Sequence, residues 1–341
     1  MNPANQNLQN NYATNRLISS MKCVLQIYNQ LDVINLITEQ FKFFLSQSHI
    51  NGNELFINSF NEILNISKQF STHILNKDIY EQKIIDFINE VFNRNNSGIS
   101  GTRPIILFFM ISKIIEDDIN QYFNDITKNK IFDDIILKND FSVFNNIIPM
   151  DNPKIKTAII QLISEFKNKY KGPLVDNFYF LILSTSRCPN CNNLFGIRIL
   201  VTQFLQLDVN NPQNNITDLI NNYFSGKLGL GNYICQNCGL QGQKYKKLYC
   251  LNLPNYLILE FEDRNNVIFT DNITLQLYNG EIVHYQYFAN VYKYIENEER
   301  SFRAVIKIGN DLVLYKDDNI EPYSQNNIDI HLPSMAIYKK I

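Results

Sequence analysis

The 341-residue chain has no tryptophan, only six cysteines and only four histidines. His49, His73 and His331 belong to no motif and are expected at the surface. Four of the cysteines form two tight pairs, so Cys23 and Cys250 are left as poor material for a disulfide framework. That usage favours a reducing compartment, cytoplasm or nucleus. Neither sign of charge is concentrated: 31 basic and 33 acidic residues give a net charge of −2, so composition does not call for nucleic acid. No apolar run reaches the ~18 residues of a membrane span. The longest candidate, Pro104 to Ile115, contains Ser112 and Lys113, so no membrane contact is expected. The Asn/Gln-rich stretch from Met1 to Ala13 lacks the apolar core of a signal peptide and the arginines of a transit peptide. No phosphate-binding Gly loop is present. Tyr and Phe are plentiful, but without a basic face they read as core rather than as base-stacking platforms.

What is present changes character at about Pro173. Residues 1–15 are expected to be disordered. From Ser19, a possible cap together with Ser20, the apolar residues Met21, Val24, Leu25, Tyr28, Leu31 and Ile34 recur at three- and four-residue spacing and predict a helix. Further helical patterns cover Gly52 to Leu75, Tyr80 to Asn93, Arg103 to Phe123 and Pro153 to Lys169. Strands are predicted at Asn177 to Thr185, Ile197 to Leu207, Tyr245 to Leu251, Asn255 to Phe261, Val267 to Leu277, His284 to Tyr294, Phe302 to Ile308 and Leu312 to Tyr315, with a short helix at Ile216 to Phe224. A helical first half followed by mostly antiparallel sheet predicts an α+β fold. The adjacent pairs Asp117-Asp118, Asp133-Asp134 and Asp317-Asp318 do not face one another on a regular element, and solvated faces are expected. The Lys244 to Lys247 stretch reads as a solvated strand flank.

Two Cys-x-x-Cys knuckles stand out, Cys188-Pro189-Asn190-Cys191 and Cys235-Gln236-Asn237-Cys238. Each short turn presents two sulfurs to one point, so four thiolates from Cys188, Cys191, Cys235 and Cys238 can close a tetrahedral site for one structural zinc ion. Gly239 follows the second pair, where such a turn often needs a left-handed residue. The 43 residues between the pairs exceed a simple ribbon and predict an inserted subdomain.

The order of features around the knuckles resembles the ubiquitin-specific protease family. It runs Cys188-Pro189-Asn190-Cys191, Gln203 to Leu207, Ile216 to Ile220, Tyr233-Ile234-Cys235-Gln236-Asn237-Cys238, Lys244 to Lys247 and Leu253-Pro254-Asn255-Tyr256-Leu257-Ile258-Leu259. The resemblance extends over about Arg16 to Pro322. It implies a papain-like cysteine protease fold with fingers, palm and thumb, the helical half forming the thumb. The expected organisation is a tail over 1–15, one domain over 16–325 with fingers at about 178–262, and a C-terminal tail over 326–341.

The same resemblance makes the family's catalytic positions readable. Anchoring the first box on Leu25-Gln26 puts Ser19 where the family has its nucleophilic cysteine. Arg300-Ser301-Phe302 puts Ser301 at the histidine position, and Leu312-Val313-Leu314-Tyr315-Lys316-Asp317 puts Lys316 at the third. A second helix box near Arg103 to Phe109 has also lost its polar residues. Cysteine hydrolysis needs a thiolate, a histidine and a group to orient it, so no catalytic residues are expected. Cys23 lies one helical turn past the aligned position and reads as core. His284-Tyr285 imitates the family's His-Tyr pair but begins a strand too early. The resemblance therefore implies a pseudo-deubiquitinase that binds ubiquitin, a ubiquitin-like protein or subunits of a larger complex. The alternatives are an active deubiquitinase with a divergent site, using Cys23 or His284, and a zinc-ribbon module associated with nucleic acid.

Overall fold

The stripe at Met21, Val24, Leu25 and Tyr28 becomes the inner face of a helix longer than its pattern predicts. In a computed structural model, which describes residues 3–47, 55–71, 76–95, 101–122, 135–136, 153–169, 173–209, 214–261, 267–296, 299–316, 319–323 and 332–341, helix α1 spans Pro3–Gln30. The expected disorder over 1–15 is thus corrected from Pro3 onward. Ser19 and Ser20 lie in the helix interior rather than at its cap. The stripe also continues into a second helix, α2 (Asp32–Gln47), after a tight step at Leu31, whose amide bonds the Tyr28 carbonyl. His49, His73, His331, Asp133-Asp134 and Asp317-Asp318 lie outside the described residues.

Helices α3 (Phe56–Ser71), α4 (Lys77–Arg94) and α5 (Pro104–Tyr122) pack round α1, and residues 18–28 of α1 are buried on every side. Such a helix must be apolar all round or satisfy each polar group. Here Tyr28 stacks on Phe108 at 4.4 Å between centroids and meets Phe60 edge-on at 5.0 Å. Its hydroxyl donates to the Phe108 carbonyl and pairs with Ser112. Gln26 donates to the Ser67 hydroxyl, which Tyr80 also reaches. Asp118 corrects the expectation of a solvated face. It is buried, and its carboxylate accepts the Phe56 amide at 2.7 Å, supplying from α5 the anion that the N-terminus of α3 lacks.

The remaining elements are β1 (Ile135–Ile136), α6 (Pro153–Lys169), α7 (Pro173–Phe178), β2 (Phe180–Arg187), β3 (Leu194–Thr202), β4 (Leu205–Leu207), β5 (Asn214–Asn215), α8 (Ile216–Phe224), β6 (Lys227–Ile234) and β7 (Gln241–Asn252). There follow β8 (Tyr256–Phe261), β9 (Val267–Ile268), β10 (Asn272–Gln276), β11 (Ile282–Glu296), β12 (Glu299–Ile308), β13 (Asp311–Lys316), β14 (Asn319–Pro322) and β15 (Leu332–Lys340). They form a five-stranded sheet ordered β1-β3-β2-β7-β6 and an eight-stranded sheet ordered β14-β13-β12-β11-β15-β8-β4, with β10 added to β11. The first carries the knuckles and the second is the central sheet. The α+β architecture is as expected.

Two differences have clear causes. The single strand predicted over Ile197 to Leu207 is two, because the chain leaves the first sheet after Thr202, whose hydroxyl donates to the Phe204 carbonyl, and joins β8 in parallel as β4. The C-terminal tail predicted over 326–341 is corrected at residues 332–340. These form β15 in the middle of the central sheet, between β11 and β8, with Pro333 to Tyr338 buried. Pro333 obscured this strand in the sequence, since proline is usually confined to edges or bulges. It sits where the β11–β15 register shifts, between Val291 and Tyr292.

The central sheet divides two cores. Along β8, Tyr256 and Ile258 face the helices while Leu257, Leu259 and Phe261 face α8. On β11 a bulge at Phe288 reverses this alternation: Tyr285 and Tyr287 join the α8 core, but Ala289 and Val291 face the helices.

Near the base of the helical layer, burial pushes the Glu116 carboxyl up to about 7, against the nearby Lys113 ammonium and the Tyr179 hydroxyl that donates to it at 2.9 Å. A carboxyl raised on folding stabilises the protein below its unfolded pKa, and that stability is lost as pH rises through the folded value. Glu116→Gln keeps the acceptor without the charge. Urea titrations are expected to show it gaining about 1 kcal/mol on the wild type between pH 6 and pH 8; a constant difference would contradict the assignment.

Candidate functional site

Both knuckles fold by the same local rule. In the first, the Cys188 amide donates to the Asn193 carbonyl at 2.8 Å and the Asn192 amide to the Cys188 carbonyl at 3.0 Å. In the second, Cys235 donates to Leu240 and Gly239 to Cys235, each at 2.8 Å. Both turns need a left-handed residue at the fourth position after the first cysteine. Gly239 takes it at φ +73°, as its place in the sequence predicts. Asn192 takes it in the first knuckle at φ +58°, and asparagine is among the few side chains that tolerate that region. The strands behind the turns are tied by Phe195 stacking on Tyr233 and by the Lys244 ammonium 4.0 Å above the Tyr233 ring.

The four sulfurs lie within 4.8 Å of one another, with Cys188–Cys238 and Cys191–Cys235 each at 3.5 Å. A tetrahedral zinc with Zn–S of ~2.3 Å sets its ligands ~3.8 Å apart, so the four cysteines lie close enough to bind a zinc ion. The Asn237 side chain and the Asn193 amide draw the Cys191 thiol down to about 6, while burial pushes Cys188 up to about 11. Cys250 is buried, pushed up to about 12 by desolvation, and stands apart from the cluster.

Of the positions matched by resemblance to the family's catalytic groups, Ser19 lies elsewhere, where α1 crosses β12. Ser19 is 5% exposed; its hydroxyl donates to the Arg16 carbonyl at 3.0 Å and accepts the Phe302 amide at 3.1 Å. Ser19 therefore touches the residue next to Ser301. Lys316 lies on β13, one residue past Tyr315, which pairs with Ala304 of β12. The cavity at this junction holds only about 20 Å³, between Ser19, Cys23, Phe70, Tyr80, Phe302 and Tyr315. Lys22 also borders it, paired with Glu81 at 3.1 Å and lying over the Tyr80 and Phe70 rings.

Cys23 is 3% exposed and packs in the helix-side core while lining the same cavity. His284, the one histidine among the described residues, is exposed on β11 opposite Thr274, whose hydroxyl it meets at 3.2 Å. Sequence reasoning missed Lys22, Glu81, Phe70 and Tyr80. Only the position of Lys22 on the buried side of α1 could have signalled them.

Helical thumb, central sheet and a two-knuckle finger sheet together define the ubiquitin-specific-protease-like fold. No family model matches the chain, and no curated protein matches it in sequence. Among solved structures it is similar to a chain of the yeast SAGA DUB module with a mutant Sgf73, at TM-score 0.64 and 15% identity over 95% of this chain and 67% of that one. It is similar as well to the SAGA Ubp8/Sgf11/Sus1/Sgf73 DUB module bound to ubiquitin aldehyde, at TM-score 0.63 and 15% identity over 95% and 67%. A third is that module bound to monoubiquitin, at TM-score 0.57 and 16% identity over 96% and 67%. The chain thus spans about two thirds of the length of these neighbours.

If the four cysteines hold the finger sheet through zinc, thiolate ligation couples the metal to folding. Stripping it with a chelator is expected to lower the melting temperature by several degrees, and one equivalent of zinc to restore it. An unchanged melting temperature after verified metal removal would contradict this.

Proposed function

We propose that this chain is a non-catalytic member of the ubiquitin-specific-protease fold, a pseudo-deubiquitinase. In this reading it grips ubiquitin or a ubiquitin-like protein, or serves as a scaffold subunit of a larger assembly, in the cytoplasm or nucleus. One structural zinc ion, held by Cys188, Cys191, Cys235 and Cys238, pins its fingertips. Four sulfurs leave that ion no open position for chemistry.

The observation that carries the reading is the closed α1–β12 junction. At the nucleophile position stands Ser19, whose hydroxyl is occupied as both donor and acceptor by backbone groups. A nucleophilic serine needs a base to take its proton, and here Lys22 is neutralised in an ion pair. A cavity of about 20 Å³ among the described residues accommodates roughly one water. Support for the partner comes from the structural neighbours, which are subunits of a multiprotein module, two of them bound to ubiquitin or its aldehyde.

The test is incubation of zinc-replete protein with ubiquitin carrying a C-terminal thiol-reactive electrophile, alongside a binding titration with plain ubiquitin. Reversible binding without an adduct is expected. An adduct on Cys23, the thiol lining the same cavity, would replace this reading with an active deubiquitinase of divergent site. Neither adduct nor binding would remove ubiquitin as ligand and leave the assembly subunit.

A further inference from the structure

A second and larger pocket, of about 560 Å³, opens where the finger sheet meets the central sheet and shares no residue with the cavity at Ser19. Its floor is a gap in a sheet edge. β6 pairs with β7 only as far as Lys227 opposite Lys246. Beyond it, the Tyr278 amide donates to the Cys250 carbonyl. Between these points the outer edge of β7, residues 247–249, carries no strand among the described residues.

The walls are fixed by local structure. Tyr245 lies against Gly226 so closely that a Cβ there would stand 1.6 Å from its hydroxyl oxygen, so only glycine admits the ring. Opposite, Gly280 at φ +88° closes a tight turn in which the Leu277 amide donates to the Glu281 carbonyl and the Glu281 amide to the Asn279 side chain. Phe224, at the end of α8, completes the enclosure. Pockets shaped in advance, of roughly 300–1,000 Å³ and largely apolar with a few convergent polar groups, are the usual form of small-ligand sites.

The charge is one-sided. Arg187 and Lys247 line the pocket, and no carboxylate among the described residues does. Nη2 of Arg187 is buried and meets no hydrogen-bond acceptor among the described residues. A buried donor left unpaired is costly, more so for a charged group, so an acceptor that reached this guanidinium from the pocket would relieve that cost. We propose that this pocket binds a small ligand bearing an oxyanion, carboxylate or phosphoryl, on an aromatic body. The Arg187 fork takes the oxyanion, Lys247 supplies a second positive charge, and the ring packs among Phe224, Tyr245 and Tyr278. The inference does not depend on whether the chain binds ubiquitin.

Ligand-observed NMR titrations of the zinc-replete full chain with phenyl phosphate, benzoate, inorganic phosphate and phenol test it. At least one of phenyl phosphate and benzoate is expected to bind about tenfold more tightly than phenol or inorganic phosphate, and which one does identifies the oxyanion. Arg187→Gln is expected to weaken that binding by about tenfold or more. Because Arg187 adjoins Cys188, zinc content and melting temperature must match the wild type. Gln276→Trp, on the exposed face of β10 at the pocket wall, should also block binding while leaving both cations and the knuckles intact. Binding unchanged in both variants, aryl anions no tighter than phenol, or no binding at millimolar concentration would each overturn the proposal.

Discussion

Burying a helix on every side obliges each polar side chain on it to find a partner, and the rest of this structure is arranged round that demand from α1. Ser20 donates to the Thr102 carbonyl, Lys22 pairs with Glu81, Gln26 donates to Ser67, and Tyr28 reaches Phe108 and Ser112. Ser19 takes the amide of Phe302 from the central sheet. Each contact ties α1 to a different neighbour: the α5 approach, α4, α3, α5 and β12. Removing one partner would leave a buried polar group unpaired, which costs more than the bond contributes. α1 thus sets the spacing between helical layer and sheet.

That arrangement links fold to chemistry. Under the proposed reading, a working thiol protease would need this junction open enough to admit a peptide tail, with a base held beside a nucleophile. Here the residues that would line such a cleft satisfy one another. The Ser19 hydroxyl is occupied by backbone, the Lys22 charge is neutralised, and Phe70, Tyr80 and Phe302 fill the space. The finger sheet, by contrast, turns at two left-handed residues beside four clustered sulfurs and presents an exposed edge in β6.

The knuckles were legible in the sequence because their chemistry is local: a metal site fixes residue type and spacing within a few positions. The apolar stripe on α1, the helix at Ile216 to Phe224 and most central strands were legible because periodicity is local too. What was not legible came from long-range pairing. β15 looks like a tail, with Pro333 and Ser334 early in it, until its place between β11 and β8 is known. β6, with Gly229 and Gly231, lacks the alternation of a buried strand because it is an exposed edge. Asp118 reads as half of a solvated acidic pair, since nothing nearby in sequence reveals that it caps α3. The contacts that Phe70, Tyr80 and Glu81 make at the α1–β12 junction depend on helices some fifty to sixty residues away from α1.

Hydrogen exchange at the Phe302 amide tests the central claim most directly, because that group bonds Ser19 across the α1–β12 junction. A closed structural contact predicts that this amide exchanges as slowly as the core amides of Ala304 and Ile306 on the same strand, and that Ser19→Ala speeds it selectively. Fast exchange at Phe302 in the wild type, with Ala304 and Ile306 still protected, would show a cleft that opens freely and would contradict the account.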